Sequence, residues 1–155
     1  MIETGQSLYV KNLLSFRKII TENEMESENN KLYNFIKEQN LEIVGPKIST
    51  THFMAQNGNG SVDMEVLIPV DKAFEDTDDY KFKKELKLVN CLSVSHIGNP
   101  ADFQKKVLEL QMHIKNKKLI PISNLYTLSL KNVNGKEGTD QFKAICYISI
   151  NPNSL

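Results

Sequence analysis

A shift of 78 residues lays the second half of this 155-residue chain on its first. It pairs Asn12 with Asn90, Leu14 with Leu92, Ser15 with Ser93 and Ile19 with Ile97. Farther on it pairs Leu32 with Leu110, Ile36 with Ile114, Lys37 with Lys115 and Leu41 with Leu119. Self-similarity at a fixed offset means one supersecondary unit used twice. Whatever the fold, it has to be one that a duplicated half-chain can build.

Each half carries one helix signal. Thr21 and Asn99 are good N-cap residues, and Glu24 and Asp102 follow three positions later, where an acid reaches back to the cap amide. Pro100 stands at the first helical position, where a missing N–H costs nothing. Phe103, Val107, Leu110 and Ile114 recur at helical spacing, as do Met25, Leu32, Phe35 and Ile36 with Asn29 as a polar gap. The spacing predicts helices over about 22–39 and 100–116. Glutamates crowd the start of the first and lysines the end of the second, both favourable to the helix dipole.

The flanking segments read as strands. Leu8–Ile19 and Leu86–Ile97 precede the helices. After them come Lys47–Ala55 and Val62–Val70, joined through Asn57-Gly58-Asn59-Gly60, then Asn124–Val133 and Gln141–Ile150, joined through Asn134-Gly135 onward to Gly138. Asn-Gly between β-prone runs is a strong hairpin signal. Val62, Met64, Val66 and Ile68 alternate with Asp63, Glu65 and Leu67, so one face of that strand is apolar and Glu65 is expected to point outward. Each half is therefore β-α-β-β, and the fold class is α+β with antiparallel sheets and two main helices. The first repeat covers about 8–70, a linker about 71–84 and the second repeat about 85–151.

The linker is a charge block of Glu75, Asp76, Asp78 and Asp79 followed by Lys81, Lys83, Lys84 and Lys87. It reads either as a solvated connection or as a two-sign docking patch for a partner protein. Across the chain 19 Lys+Arg balance 19 Asp+Glu, which leaves no global basic field for nucleic acid or anionic lipid. No basic start or apolar core of a secretory signal is present, and the longest apolar stretch, Ala144–Ile150, is far too short to span a bilayer. Cys91 and Cys146 lie inside apolar runs and read as buried, reduced thiols, so a cytoplasmic location is expected.

The catalytic inventory is short. The sequence has no dinucleotide or P-loop glycine pattern, no H-E-x-x-H and no G-x-S-x-G. His52, His96 and His113 are not spaced for a metal with each other or with a cysteine, so neither a metal nor a cofactor is expected. His96, just before Gly98, and His52, alternating with Phe53, stand where pocket residues could stand. Tyr126, Phe53, Phe142 and Tyr147 are the aromatics expected toward the sheet centre.

Two β-α-β-β units with S-H-I-G-N-P-A-D-F and K-L-I-P-I-S-N-L-Y-T-L resemble the GyrI-like effector-binding superfamily over nearly the whole chain. Asp63–Val70 looks like the segment closing the family's first repeat, His96-Ile97-Gly98 like its strand-to-helix turn, and Leu125-Tyr126 like its Glu-x-Tyr strand. The resemblance implies a central cleft, with Phe53, Glu65, His96, Asn124, Tyr126 and Phe142 as candidate lining. Asn124 stands where the family usually carries its pocket glutamate, which argues against cation sensing and against the hydrolase activity of some relatives. Glu65 is the remaining candidate acid. The Lys/Asn/Ile-rich chain also resembles a stand-alone branch associated with type VII secretion, of which EsaE-like toxin chaperones are the example.

The resemblance thus implies a non-enzymatic binding protein. Its partner would be another polypeptide, such as a secreted toxin or its small helical partners, with Glu75, Asp76, Asp78, Asp79, Lys81, Lys83 and Lys84 as candidate contacts. The alternative is a small-molecule sensor for a hydrophobic or cationic ligand.

Overall fold

The computed structural model describes residues 1–54, 60–130 and 142–153, with the side chains of Phe53 and Met54 set aside. The two expected glycine turns, apart from Gly60, fall outside the described residues. Those described form β1 (Glu3–Ile20), a 3-10 turn (Glu22–Glu24), α1 (Met25–Glu38), β2 (Lys47–Met54) and β3 (Val62–Pro69). They continue as β4 (Tyr80–Gly98), α2 (Pro100–Asn116), β5 (Tyr126–Leu130) and β6 (Phe142–Ser149). The chain divides into two compact units, one of Val10–Leu86 and one of Met1–Tyr9 with Lys87–Leu155.

Both units have the same order. In the first, β3 pairs antiparallel with β1 on one side and with β2 on the other. In the second, β6 does the same with β4 and β5. The last strand of each repeat therefore inserts between the two joined by the helix, and in both units the helix covers one face of the sheet.

The helices start and stop for local reasons. The Glu24 carboxylate accepts the Thr21 N–H at 3.2 Å and its hydroxyl at 2.9 Å. The Asn99 side chain accepts the Ala101 N–H at 2.8 Å, with Pro100 at the first turn. Each helix ends on a residue with left-handed backbone, Asn40 (φ 55°) and Lys118 (φ 54°), followed by a leucine amide that bonds five residues back. Asn accepts this conformation readily, whereas lysine carries the full Cβ penalty. Lys118→Gly is expected to raise the unfolding free energy by about 1 kcal/mol, visible as a higher urea midpoint.

Most of the repeat identities now have a physical cause. Leu14, Leu32, Ile36 and Leu41 belong to the core of the first unit, with Phe16, Val66, Ile68, Val70 and Tyr80. Leu92, Leu110 and Ile114 belong to that of the second, with Leu119 packed against it. Asn12 and Asn90 both adopt positive φ in mid-strand, at 57° and 52°, and their carbonyls accept the Val70 and Ile150 amides. Ile19 and Ile97 are exposed, and nothing in either unit explains their identity.

In the second unit Cys91 and Cys146 are buried free thiols. Burial raises both, Cys146 to about 11.

Strand β4 begins at Tyr80, so Lys81, Lys83 and Lys84 lie in a strand rather than in a free connection. The segment before it is anchored by aromatics. Tyr80 stacks on Phe35 of α1 at 4.5 Å between ring centres, and Phe74 meets Phe35 and Phe82 edge-on at 5.6 Å each.

Candidate functional site

The first unit's sheet is buried on both faces. Val66 and Ile68 of β3, with Val70 just after it, join the core beneath α1, whereas Leu13, Ser15, Ile48, Thr50, Asp63, Glu65 and Leu67 are also buried. Strand register puts Arg17, Glu65 and Thr50 in one cross-strand row on the face away from α1. Glu65 is therefore not outward, as its alternation with apolar residues had indicated. It is 3% exposed on the middle strand.

Three other strands converge on its carboxylate. Ser15 of β1 donates its hydroxyl to Oε2 at 2.5 Å, and Lys83 at the start of β4 donates Nζ to the same oxygen at 2.6 Å. His52 Nε2 of β2 lies 3.0 Å from Oε1. The β2–β3 register slips between Thr51 and Phe53, so His52 is the extra residue of a bulge, a device that re-aims a side chain. Two residues along β3, Asp63 is held by Arg17 in a two-pronged pair, Nε to Oδ1 at 3.1 Å and Nη2 to Oδ2 at 2.9 Å.

Burial pushes the Glu65 carboxyl up, but the bonds from Lys83, Ser15 and His52 outweigh it and hold the group below its ordinary value of 4.5. Asp63 is likewise lowered, first by its bond to Arg17. A carboxyl depressed by folding contributes stability that is fully present above its unfolded value and disappears as pH falls through its folded value. Glu65→Gln is therefore expected to flatten the acid limb of stability below about pH 4.5. Urea titrations of both proteins from pH 7 to pH 3 test this. An unchanged limb would contradict the ionised assignment.

The other sequence-nominated residues distribute as follows. Phe53 pairs with Asp63 in the β2–β3 register, in the same unit as Glu65. His96, Asn124, Tyr126 and Phe142 belong to the other unit. There His96 is buried on β4, and its Nε2 lies 2.9 Å from the Asn99 carbonyl, which can only accept, so Nε2 carries the proton. Its ring and that of Phe142 both neighbour Phe103, at 6.2 and 5.6 Å. Asn124, just before β5, and Tyr126, its first residue, are half-buried, and Tyr126 pairs with Tyr147. The same unit holds a hollow of about 390 Å³ whose lining includes Asn90, His113, Lys117 and Leu119 and no carboxylate.

Of the charge block, Glu75, Asp76, Asp78, Asp79, Lys81 and Lys84 are exposed, and Asp76 accepts the Phe82 N–H at 2.8 Å. Lys83 alone among them reaches a buried acid. Sequence reasoning placed it with the docking candidates and left Ser15, Arg17 and Asp63 out of any site. Ser15 carried one usable signal, its identity with Ser93 amid apolar neighbours, since Ser93 is buried too. Among the described residues no cluster of three or more metal-ligating side chains occurs, and no helix is long and apolar enough to cross a membrane.

Comparison with solved structures places the architecture. The EcmrR C-terminal domain superposes with a TM-score of 0.69 at 9% identity, over 95% of this chain and 98% of that one. The fold is GyrI-like. The cryo-EM structure of an EcmrR–DNA complex gives a TM-score of 0.75 at 9% identity over 97% of this chain, which spans 57% of that protein's length. A conserved protein from Listeria innocua scores 0.61 at 13% identity, and a Listeria innocua protein described as a hydrolase 0.57 at 13%, each over 94% of this chain and 91% of its own. No protein-family model matches the sequence, and no curated protein does.

Proposed function

We propose that this protein is a small-molecule-binding domain without chemistry of its own, engaging its ligand through the constellation around Glu65. The observation that carries the reading is an ionised carboxylate 3% exposed in the middle of a sheet, gripped by a serine, a histidine and a lysine. Taking such a charge from water costs several kcal/mol, and perturbed acids concentrate at functional sites. The likeness to the EcmrR C-terminal domain supports the same class of role.

The rival readings draw less support. A chaperone or adaptor for a type VII secreted toxin would rest on the 71–84 charge block, yet Lys83 of that block is turned to an internal acid and the segment is tied to α1 through Phe74 and Tyr80. A hydrolase, the description given to two fold neighbours, would need an activated nucleophile. Here the Ser15 hydroxyl is donated to Glu65 rather than to an imidazole.

Thermal-shift screening against a panel of apolar small molecules, charged and uncharged, tests the reading. A ligand that binds only the folded state must raise Tm. The expected result is a hit that stabilises the native protein and stabilises Glu65→Gln less. No shift across the panel, together with a defined polypeptide that co-purifies, would replace this reading with the partner-protein one.

A further inference from the structure

We propose that Lys83 is a built-in counter-ion that sets which ligand charge the Glu65 site accepts, turning away simple cations in favour of uncharged molecules. The inference rests on the small-molecule reading above and specifies it.

Both oxygens of the carboxylate are already engaged. Oε1 faces His52, and Oε2 takes both Ser15 and Lys83. An ammonium 2.6 Å away already supplies the positive charge that a buried acid would otherwise seek in a ligand. The neighbouring acid, Asp63, is likewise matched by Arg17 at 2.9 Å. Each of these two acids is thus already matched by a base. An incoming cation would exchange one ammonium–carboxylate contact for another and gain little Coulomb energy, whereas an uncharged molecule leaves the balance intact.

Lys83 is also the partner best able to be displaced or removed. Its side chain is 48% exposed, against 22% for His52, and it reaches Glu65 along a flexible stem from the first residues of β4. Removing its charge would leave Glu65 buried without the cation bonded to it, since Arg17 is already held by Asp63, and so open to a ligand cation.

The test uses tetraphenylphosphonium as the cationic probe and triphenylphosphine oxide as the uncharged one, titrated calorimetrically into the full-length protein. Lys83→Gln and Lys83→Met, which keep the stem in different degrees, are each expected to bind tetraphenylphosphonium at least about tenfold more tightly than the native protein. Lys83→Arg, which keeps the charge, should behave like the native protein. Adding Glu65→Gln to Lys83→Gln should erase the gain, and triphenylphosphine oxide should bind the native protein and the Lys83 single variants alike. Circular dichroism identifies a variant that has lost its fold, and the other neutral variant then carries the comparison.

Equal cation affinity in the native protein and both neutral variants would overturn the proposal, as would a gain in Lys83→Arg equal to that in Lys83→Gln. Failure of the native protein to bind any small molecule is a different outcome, and it removes the parent reading along with this one.

Discussion

Replacing Lys83 with methionine is expected to lower the unfolding free energy by about 3 kcal/mol, and replacing Glu65 with glutamine by only about 1 kcal/mol. The asymmetry follows from which partner is buried. Methionine leaves the carboxylate in place, 3% exposed, with its nearest cation gone. Half-exposure of the lysine puts the loss at the low end of the range for a broken buried pair. Glutamine removes the costly charge while its amide oxygen still accepts from Ser15. The lysine it releases is half-exposed and turns to water. Urea denaturation at pH 7 measures both. The reverse order of losses would mean that the pair behaves as a surface ion pair and that Glu65 is better solvated than its burial indicates.

The second large effect lies in the cores. Leu32 of α1 is 1% exposed and Leu110 of α2 is fully enclosed, and the two are equivalent under the repeat. Each sits in the middle of its helix's buried stripe, between Glu28 and Ile36 in one case and between Phe103 and Ile114 in the other. Leu32→Ala and Leu110→Ala are each expected to cost about 3 kcal/mol, from lost transfer energy plus the cavity left behind. Chemical denaturation monitored by circular dichroism provides the comparison. A loss below about 1 kcal/mol at either site would mean that the surrounding core collapses into the space.

Much of this was legible in the sequence because the signals were local. Thr21 with Glu24, Asn99 with Pro100 and the spacing of Phe103, Leu110 and Ile114 act within a turn or two of chain, and the structure uses all of them. Strand alternation identified the face of β3 beneath α1 from Val66 and Ile68. The same alternation misplaced Glu65, because period two separates two faces without saying whether the second is exposed. His52 could not be assigned to the acid since its aim depends on a bulge, which leaves no mark in composition. Lys83 was hidden for another reason. A run of mixed charge reads as solvated, and only long-range pairing shows that one lysine in it faces a buried carboxylate 18 residues away.

The division of the chain into Val10–Leu86 and Met1–Tyr9 with Lys87–Leu155 has a consequence for the order of assembly. The first unit is continuous, so it can close on itself as soon as it has been synthesised. The second needs a segment made before the first unit, including Ile2, which packs against a core drawn from Leu92 onward. Its completion therefore requires a loop closure across more than half of the chain, an entropic cost that grows slowly with length but delays contact formation. A nascent chain would pair the Leu13–Ile20 part of β1 within the first unit, while Met1–Tyr9 waited for the residues from Lys87 onward. Folding from the ribosome should accordingly proceed in two phases, with the N-terminal nine residues the last part of the second unit to become protected from hydrogen exchange.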